Sequence, residues 1–337
     1  MEDAKAKPAG TPGTEGKAPE FRFGVIADVQ YADVGDGVAS GEHRWWRKSL
    51  HNLAKAVEHW NTETPDIRFI VQLGDLLDGK NARMGASKRA LERVLKELNK
   101  CKCKEIHHVM GNHDFYNFER NILYSLFFAD KKNGGKQELP LSHRLYYSFC
   151  PSPGWKVISL DTYDISVTGR ATTSAEYKEA KSIIEKNNPN VFSQTKRDWF
   201  MGITQDKMRF VPFNGAIGEE QLQWLQSELD NCKRDKQRVI VIMHVPVAPE
   251  AAGHATVVWN NTEVMKVLHK SEWVKMVLSG HSHPGGYAFV QGCHHVTIEG
   301  VITHSNGAYG VVEVFRDHIK VLGNTGGVQD RTLHLDL

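Results

Sequence analysis

Long hydrophobic runs are absent from this sequence of 337 residues. No apolar stretch approaches the roughly 18 residues that a membrane-spanning helix requires. The opening segment, MEDAKAKPAGTPGTEGKAPE, also lacks the apolar core of a secretory signal. The sequence therefore predicts neither secretion nor a membrane partner, and a cytoplasmic protein is the expectation.

An excess of charge of one sign is also missing. The 42 Lys and Arg residues are balanced by 40 Asp and Glu residues, and the two signs are interspersed along the chain. A nucleic-acid backbone selects a basic stripe, which this sequence does not offer. We therefore expect a small-molecule ligand and no nucleic-acid partner. The sequence does not determine the oligomeric state, and a monomer is the simplest expectation.

Cysteine is scarce, with five scattered residues. Only Cys101 and Cys103 lie close together, and no second pair completes a zinc-binding pattern. We expect a structural role for all five cysteines. Most of the 17 histidines also lie in ordinary helix, strand or loop contexts, among them His269 and His295, where no metal-binding role is expected.

The composition that is present, 40% hydrophobic and 24% charged, is typical of a globular protein with a large core. Residues 1–20 are rich in Ala, Pro, Gly and Lys and predict a disordered tail. The remainder, 21–337, is expected to form a single domain. A polar, turn-rich insertion at about 164–215 interrupts it, and long segments of this kind often act as lids over a site.

Strands and amphipathic helices alternate through the first half of the chain. The apolar segment FRFGVIADV is followed by a helical pattern from Trp46 to Trp60, and IRFIVQLGD by SKRALERVLKELNK. EIHHVMG forms a third strand. After the insertion come a helix, the apolar strands RVIVIMH and WVKMVLSG, and four more strand segments. This alternation predicts an α/β fold whose parallel strands are buried on both faces.

The strands share one further feature: five of them end in polar residues, in VIADVQ, VQLGDLLDG, VMGNHD, VIMHV and VLSGHSH. Ligands of open α/β sheets bind at the carboxyl ends of the strands. We therefore expect one crevice lined by Asp28, Gln30, Asp75, Asn112, His113, His244, His281 and His283.

The residue types indicate divalent metal ions. Carboxylate, amide and imidazole groups without thiolate suit Mn, Fe, Mg or Zn. Two such ions bridged by one carboxylate, for which Asp75 is the candidate, lower the pKa of a bound water and hold the attacking and leaving oxygens of a phosphoryl transfer.

The motif order D-x-Q, GD, GNHD, H and GHSH resembles the calcineurin-like metallophosphoesterase superfamily, over residues of about 21–325. The resemblance implies two packed mixed β-sheets flanked by α-helices. It places one metal on Asp28, Gln30, Asp75 and His283, and the other on Asp75, Asn112, His244 and His281. It also implies that His113 contacts the scissile phosphate and acts on the leaving oxygen, and that Asp114 orients His113.

Gln30 departs from the family pattern, in which a histidine stands at that position. A neutral amide oxygen there should weaken the site and shift its preference toward manganese or magnesium. Together with GDLLDGKN, GNHDFYNF, FNGAIGEEQLQWL and GHSHPGGY, it resembles one subgroup, the manganese-dependent ADP-ribose/CDP-alcohol diphosphatases. That resemblance implies hydrolysis of nucleoside diphosphate-X compounds.

Such a substrate needs a pocket wall against which its base can stack. The candidates are Phe213, Asn214, Trp259, Asn260 and Tyr116, for all of which packing within the protein is the competing interpretation. The alternatives for the activity are a phosphomonoesterase, a cyclic-nucleotide phosphodiesterase, a phosphoprotein phosphatase, and a catalytically silent interaction scaffold.

Overall fold

Two six-stranded sheets form the centre of the structure. A computed structural model of the chain describes residues 18–39, 41–129, 144–195, 198–324 and 326–336. The sheets pack face to face with helices on both outer sides, which confirms the predicted α/β class and the two-sheet architecture.

The strands β1 to β14 span Phe21–Ile26, Gly37–Ala39, Glu42–Arg44, Phe69–Gln72, Ile106–His108, Tyr147–Ser152, Trp155–Ser159, Arg238–Ile242, Val274–Ser279, Gly286–Val290, Cys293–Thr297, Tyr309–Val314, His318–Gly323 and Arg331–His334. The helices α1 to α9 span Lys48–Thr62, Lys80–Arg83, Ser87–Leu98, Asn112–Asn117, Arg120–Phe127, Ala175–Asn187, Glu219–Asp235, Pro249–Ala252 and Asn261–His269. Single 3₁₀ turns occur at Gln205–Lys207 and Val301–Thr303.

Both sheets are mixed. The first has the order β14-β13-β12-β1-β4-β5, in which β1, β4 and β5 run parallel and the rest pair antiparallel. The second has the order β10-β11-β9-β8-β7-β6, with β7, β8, β9 and β11 parallel. β2 and β3 form a separate small hairpin. The parallel strands of each sheet therefore deliver their carboxyl ends to a common rim.

The main core lies between the two sheets. Phe23 and Phe69 on the inner face of the first sheet stack with their ring centroids 4.8 Å apart. They belong to one buried cluster with Trp155, Ile240 and Met276 of the second sheet. Alternate residues of a strand face opposite sides of a sheet, which is why every second residue of β1 joins this core.

The outer faces are covered by amphipathic helices. Leu53 and Trp60 of α1 and Val94 of α3 pack on the first sheet. Leu225 of α7 and Val264 of α9 pack on the second. Because both faces of both sheets are buried, the central strands read as continuous apolar runs in the sequence.

The insertion differs from the expectation of a turn-rich segment, because it contains helix α6. Ser174 begins the helix by accepting a hydrogen bond from the Tyr177 N–H at 3.1 Å, which is a standard N-cap. Ala180 and Ile184 pack with Phe210 and Trp259 in a small core of their own. The apolar face of α6 is short, so its helical pattern is weak in the sequence.

The described part of the chain begins just before the first strand. Residues 1–17, which carry most of the predicted tail, lie outside the described residues. Glu20 already donates its backbone N–H to Val314 at 2.7 Å. Among the helices of the described ranges, none combines the length and apolarity that crossing a membrane requires.

Gly24 is a point of close packing that yields a test of the first sheet. A Cβ at this position in β1 would lie 2.8 Å from the ring of Trp60, whose indole N–H donates to Gly310 at 3.0 Å. Overpacking of this kind costs about 1–3 kcal/mol. We expect Gly24→Ala to lower the free energy of unfolding by that amount, measured by urea denaturation.

Gly35→Ala is the matched control, because a Cβ at Gly35 meets nothing within 4 Å. The urea concentration at the unfolding midpoint should therefore be clearly lower for Gly24→Ala than for Gly35→Ala. Equal midpoints would contradict the packing described for β1 against α1.

Candidate metal centre

The predicted ligands meet at the common rim of the two sheets. Asp75 lies at the middle: its Oδ2 is 3.1 Å from Gln30 Nε2 and 3.6 Å from His244 Nε2. Asp28 Oδ1 is 3.4 Å from His283 Nε2, and its Oδ2 accepts the His281 N–H at 2.9 Å. Residues from four separate chain segments are therefore within reach of one another, and Asp75 lies between the two predicted ligand groups.

His244 Nε2 and His281 Nδ1 face each other, and at most one of them carries a proton. His244 Nδ1 donates to the Leu73 carbonyl at 2.6 Å, so its Nε2 carries a lone pair in the neutral ring and a proton in the imidazolium. The amide nitrogen of Asn214 donates to Arg209 and Ala255, so its oxygen accepts from His281 Nε2 at 2.8 Å. The lone pair of His281 is then on Nδ1, 3.2 Å from His244 Nε2.

Two nitrogen lone pairs at this distance repel each other unless a positive charge lies beside both. Asp28 Oδ1 also favours a nearby positive charge, because it is a buried carboxylate oxygen without a hydrogen-bond partner in the described part of the chain. Asp75, His244 and His281 each offer one ligand atom, and these atoms lie within 4.8 Å of one another. The donor set of oxygen and nitrogen therefore fits divalent cations of the predicted type.

The backbone is strained at the same residues. Asp28, Gln30, Asp75 and His281 have positive φ angles of 52°, 43°, 59° and 67°. They account for four of the six non-glycine residues with positive φ in the described ranges. Such a conformation costs on the order of 1–3 kcal/mol per residue and is typical of functional sites. The left-handed backbone also shortens the first strand. β1 ends at Ile26, whereas the sequence predicts a strand that continues to Val29.

Two glycines allow the strand ends to approach one another. A Cβ at Gly74 would lie 2.3 Å from His244 Nδ1, and a Cβ at Gly111 would lie 2.0 Å from Asp75 Oδ1. Neither position tolerates a side chain without moving a predicted ligand. Gly74 and Gly111 directly precede Asp75 and Asn112, and their lack of a Cβ is what permits this close backbone approach.

The electrostatics of the centre favour positive charge. Burial alone would raise the pKa of Asp75, but the imidazoles of His244 and His113 hold it well below its usual value. Burial would lower the pKa of His244, yet the charge of Asp75 raises it to about 9. Burial and the neighbouring His244 hold the pKa of His281 well below its ordinary range. One positive charge between the two rings is favoured and two imidazolium ions are not.

Gln30 and His283 lie side by side at the edge of the centre, with Gln30 Nε2 3.0 Å from His283 Nε2. A ligand role for Gln30 needs its oxygen, which a half-turn of the near-symmetric amide presents. The other ring nitrogen of His283 contacts the Arg44 guanidinium, which also forms an ion pair with Glu42 at 3.0 Å. Arg44, at the end of the β2–β3 hairpin, thereby positions the His283 ring. The GHSH motif gives no indication of this contact.

His113 projects beside the predicted ligands. Its backbone N–H donates to Asp75 Oδ1 at 2.8 Å, and its Nδ1 accepts the Gly79 N–H at 3.0 Å. The neutral ring then carries its proton on Nε2, the nitrogen at the far side of the ring from Gly79. His113 is about a quarter exposed, so this proton is accessible to a substrate. The arrangement suits a residue that donates a hydrogen bond to a developing negative charge.

The predicted contact between Asp114 and His113 is wrong. Asp114 is buried, and its two oxygens accept the backbone N–H groups of Gly111, Asp75 and Leu76 at 2.8–2.9 Å. Asp114 therefore ties the loops after β4 and β5 together. The carboxylate nearest to the His113 ring is Asp78, whose Oδ2 lies 3.6 Å from Nδ1.

Tyr163 is a site residue that the sequence analysis missed. Its hydroxyl is fully buried, 3.1 Å from Asn112 Oδ1 and 2.9 Å from the Phe213 carbonyl. It thus links a predicted ligand to the end of the insertion. The sequence does contain an indication of this role. Like the strands of the predicted centre, β7 ends in polar residues at the same rim, in the segment SLDTYD.

Three of the predicted wall residues have structural roles instead. Trp259 is fully buried in the core of the insertion, with its indole N–H 3.3 Å from the Val211 carbonyl. Asn260 bonds both backbone groups of Ile217, at 3.1 and 2.8 Å. Asn214 is fully buried and positions His281, as described above. Because these three side chains bond to partners within the protein, the prediction that they form the pocket wall is corrected.

The other two predicted wall residues do lie at the mouth of the centre. The Phe213 ring centroid is 5.7 Å from that of His281 and 6.2 Å from that of Trp199. Tyr116 is 42% exposed, and its ring centroid lies 5.1 Å from that of His113. Aromatic rings therefore flank the centre on two sides.

Residues 21–285 match the family of calcineurin-like phosphoesterases, and the chain belongs to that family. The predicted superfamily is thereby confirmed. Within it, the chain is similar to manganese-dependent ADP-ribose/CDP-alcohol diphosphatases. The Bos taurus protein is 37% identical over 93% of this chain and 94% of the relative, and the Arabidopsis thaliana protein is 38% identical over 92% and 96%.

Among solved structures, a dimetal phosphatase from Danio rerio superposes with a TM-score of 0.85. It is 36% identical, and the match covers 94% of this chain and 100% of that one. The fold expected from the sequence is confirmed by this match.

The amide at Gln30 gives a test of metal preference. Gln30→His replaces an oxygen donor by a softer nitrogen donor at one predicted metal position. We expect metal-dependent activity to broaden from manganese toward zinc and iron, measured in parallel assays with each cation and by metal content after dialysis. Gln223→His, the same change on the exposed face of α7, is the control. An unchanged metal profile in Gln30→His would show that Gln30 does not act as a ligand.

Proposed function

We propose that the protein is a manganese-dependent hydrolase that cleaves the diphosphate bond of nucleoside diphosphate-X compounds. ADP-ribose would give AMP and ribose 5-phosphate, and CDP-choline would give CMP and phosphocholine. The observation that carries the proposal is the near-full-length similarity to enzymes of that name, at 36–38% identity. The oxygen-rich donor set around Asp75, with an amide at position 30, supports it.

Two divalent cations, when bound, would supply an activated water and neutralise the charge of the diphosphate. The chain's own part is to hold them. Asp28, Gln30 and His283 would contribute to one position, and Asn112, His244 and His281 to the other, with Asp75 shared. The left-handed backbone at Asp28 and Asp75 directs these carboxylates toward the rim.

His113 would act on the leaving phosphate. Because Gly79 donates to Nδ1, the N–H of the neutral ring is on Nε2 and can donate a hydrogen bond to the oxygen of the departing group. The hydrogen bond from the His113 N–H to Asp75 fixes the distance between this residue and the metal positions.

The substrate's base has aromatic partners at the mouth. Phe213 lies between His281 and the partly exposed Trp199, and Tyr116 lies beside His113. A nucleobase stacks on such rings. Phe213 and Trp199 both belong to the insertion, so this segment would form one wall of the pocket and hold the base while the diphosphate meets the metals.

A parallel assay tests the activity. The purified protein is incubated with Mn²⁺ and, separately, ADP-ribose, CDP-choline and p-nitrophenyl phosphate. We expect release of AMP and CMP without appreciable p-nitrophenol. Faster release of p-nitrophenol would identify a phosphomonoesterase, and no turnover of any substrate would identify a catalytically silent protein.

His113→Ala tests the role of His113 at the leaving oxygen. Turnover of ADP-ribose should fall by about 10²–10³-fold, the usual effect of removing one donor that stabilises a developing negative charge. Manganese content should survive, because His113 stands beside the ligand set. His51→Ala, a change on the exposed face of α1, should leave both quantities unchanged. Loss of manganese from His113→Ala would contradict the role given to His113.

A further inference from the structure

A second group of potential metal ligands lies away from the rim. His269, Cys293 and His295 each offer one ligand atom, and the three atoms lie within 4.8 Å of one another. Cys293 and His295 are buried, and His269 is partly buried. The sequence analysis expected structural or solvated roles for all three, because their spacing along the chain matches no metal-binding pattern.

The fold explains how they meet. Cys293 and His295 are two residues apart on β11, so their side chains point to the same face of the second sheet. Cys293 packs in the outer cluster with Leu268 and Val274. His269 is the last residue of α9, the helix that covers this face. The group therefore connects the end of a helix to the strand beneath it.

The two imidazoles face each other through their Nε2 atoms at 2.9 Å. His295 Nδ1 is buried and has no hydrogen-bond partner within the described ranges. Only one of the two Nε2 atoms can carry the shared proton. If His295 accepts it, its Nδ1 carries an N–H with nothing to bind; if His295 donates it, its Nδ1 lone pair is unpaired. In either tautomer His295 Nδ1 stays unpaired, so the contact between the two rings is not part of a complete hydrogen-bond network.

The distances suit a small cation. Zinc binds imidazole nitrogen at about 2.0–2.1 Å and thiolate sulfur at about 2.3 Å in tetrahedral geometry. Two nitrogens on one zinc ion are then about 3.3 Å apart. Widening the present 2.9 Å by a few tenths of an ångström would admit the ion. His269, at the end of its helix and partly exposed, is the ring that is free to make this adjustment.

We propose that His269, Cys293 and His295 form a mononuclear zinc site with water as the fourth ligand. Its two nitrogens and one thiolate select zinc or another soft borderline cation over manganese and magnesium. The catalytic centre has the opposite preference, since its donors are oxygen and nitrogen without sulfur. The protein would thus hold two kinds of metal in two chemically distinct places.

The site is separate from the catalytic centre. His295 pairs with Val277 of the neighbouring parallel strand β9. His281 follows Val277 by four residues, which corresponds to about 13 Å along an extended strand. The zinc site also lies on the helix-covered face of the sheet, while the catalytic residues lie at its rim. Its role would be to fasten α9 to β11 at the far end of the sheet.

Cys293 must lose its proton to bind the ion. Burial raises the pKa of its thiol to about 12, so without a cation it is an inert, protonated side chain. Binding of one Zn²⁺ forms the S–Zn bond and releases that proton to solvent.

Cobalt substitution gives a direct test, because a thiolate bound to Co²⁺ has a charge-transfer absorption that oxygen and nitrogen ligands do not produce. The chelator-treated full-length protein is titrated with Co²⁺ and then with Zn²⁺. We expect the sulfur-to-cobalt band to reach the amplitude of one thiolate-bound Co²⁺ per chain and to disappear when Zn²⁺ displaces Co²⁺. A folded wild-type protein that shows no such band would overturn the proposal.

Matched variants assign the band to this group. Cys293→Ser should abolish it, and Cys150→Ser, which alters an exposed thiol, should leave it unchanged. His269→Gln changes a partly exposed ligand and provides a second variant in case Cys293→Ser does not fold. It should weaken Co²⁺ binding by at least tenfold while manganese-dependent activity is retained. A band that persists in Cys293→Ser, or unaltered Co²⁺ binding in His269→Gln, would also contradict the site.

Discussion

The structure depends on a cluster of buried donor atoms that require positive charge. His244 Nε2 and His281 Nδ1 face each other at 3.2 Å with room for one positive charge between them, and Asp28 Oδ1 is buried without a hydrogen-bond partner in the described residues. Asp75 carries a full negative charge between them, since the neighbouring imidazoles hold its pKa low. Such an arrangement is unfavourable by itself and becomes favourable around divalent cations.

This constraint links the two sheets. The first sheet supplies Asp28, Gln30, Asp75, Asn112 and His113 from the ends of three parallel strands, and the second supplies the remaining histidines from β8 and β9. The apolar core between the sheets therefore sets the distance between the two halves of the centre. The strained backbone at Asp28 and Asp75 persists because that packing holds the strands on either side.

The sequence predicts most of the centre because polar residues at strand ends are local signals. Asp28, Asp75, Asn112 and the GHSH histidines each follow an apolar strand, and parallel strands bring their ends together. Contacts made by distant segments carry no such signal. The contact of Arg44 with His283 comes from a short hairpin, and Asp114 bonds backbone groups that no side-chain pattern specifies. The burial of Trp259 depends on α6, whose weak periodicity concealed it.

The same distinction explains the second group of ligands. Cys293 and His295 show strand spacing only, and His269 stands at the end of an otherwise ordinary helix. Nothing in the sequence relates them, because their meeting depends on how α9 crosses the second sheet. Tertiary placement, which sequence periodicity does not record, brings three such residues within 4.8 Å.

The central claim is that Asp75 lies between two cations held by five strand ends. Electron paramagnetic resonance of the protein loaded with Mn²⁺ tests it most directly, because two manganese ions that share a carboxylate are magnetically coupled. The account predicts two bound Mn²⁺ per chain with the signal of a coupled pair, and its loss in Asp75→Asn. Signals of isolated Mn²⁺ alone in the wild-type protein would contradict it.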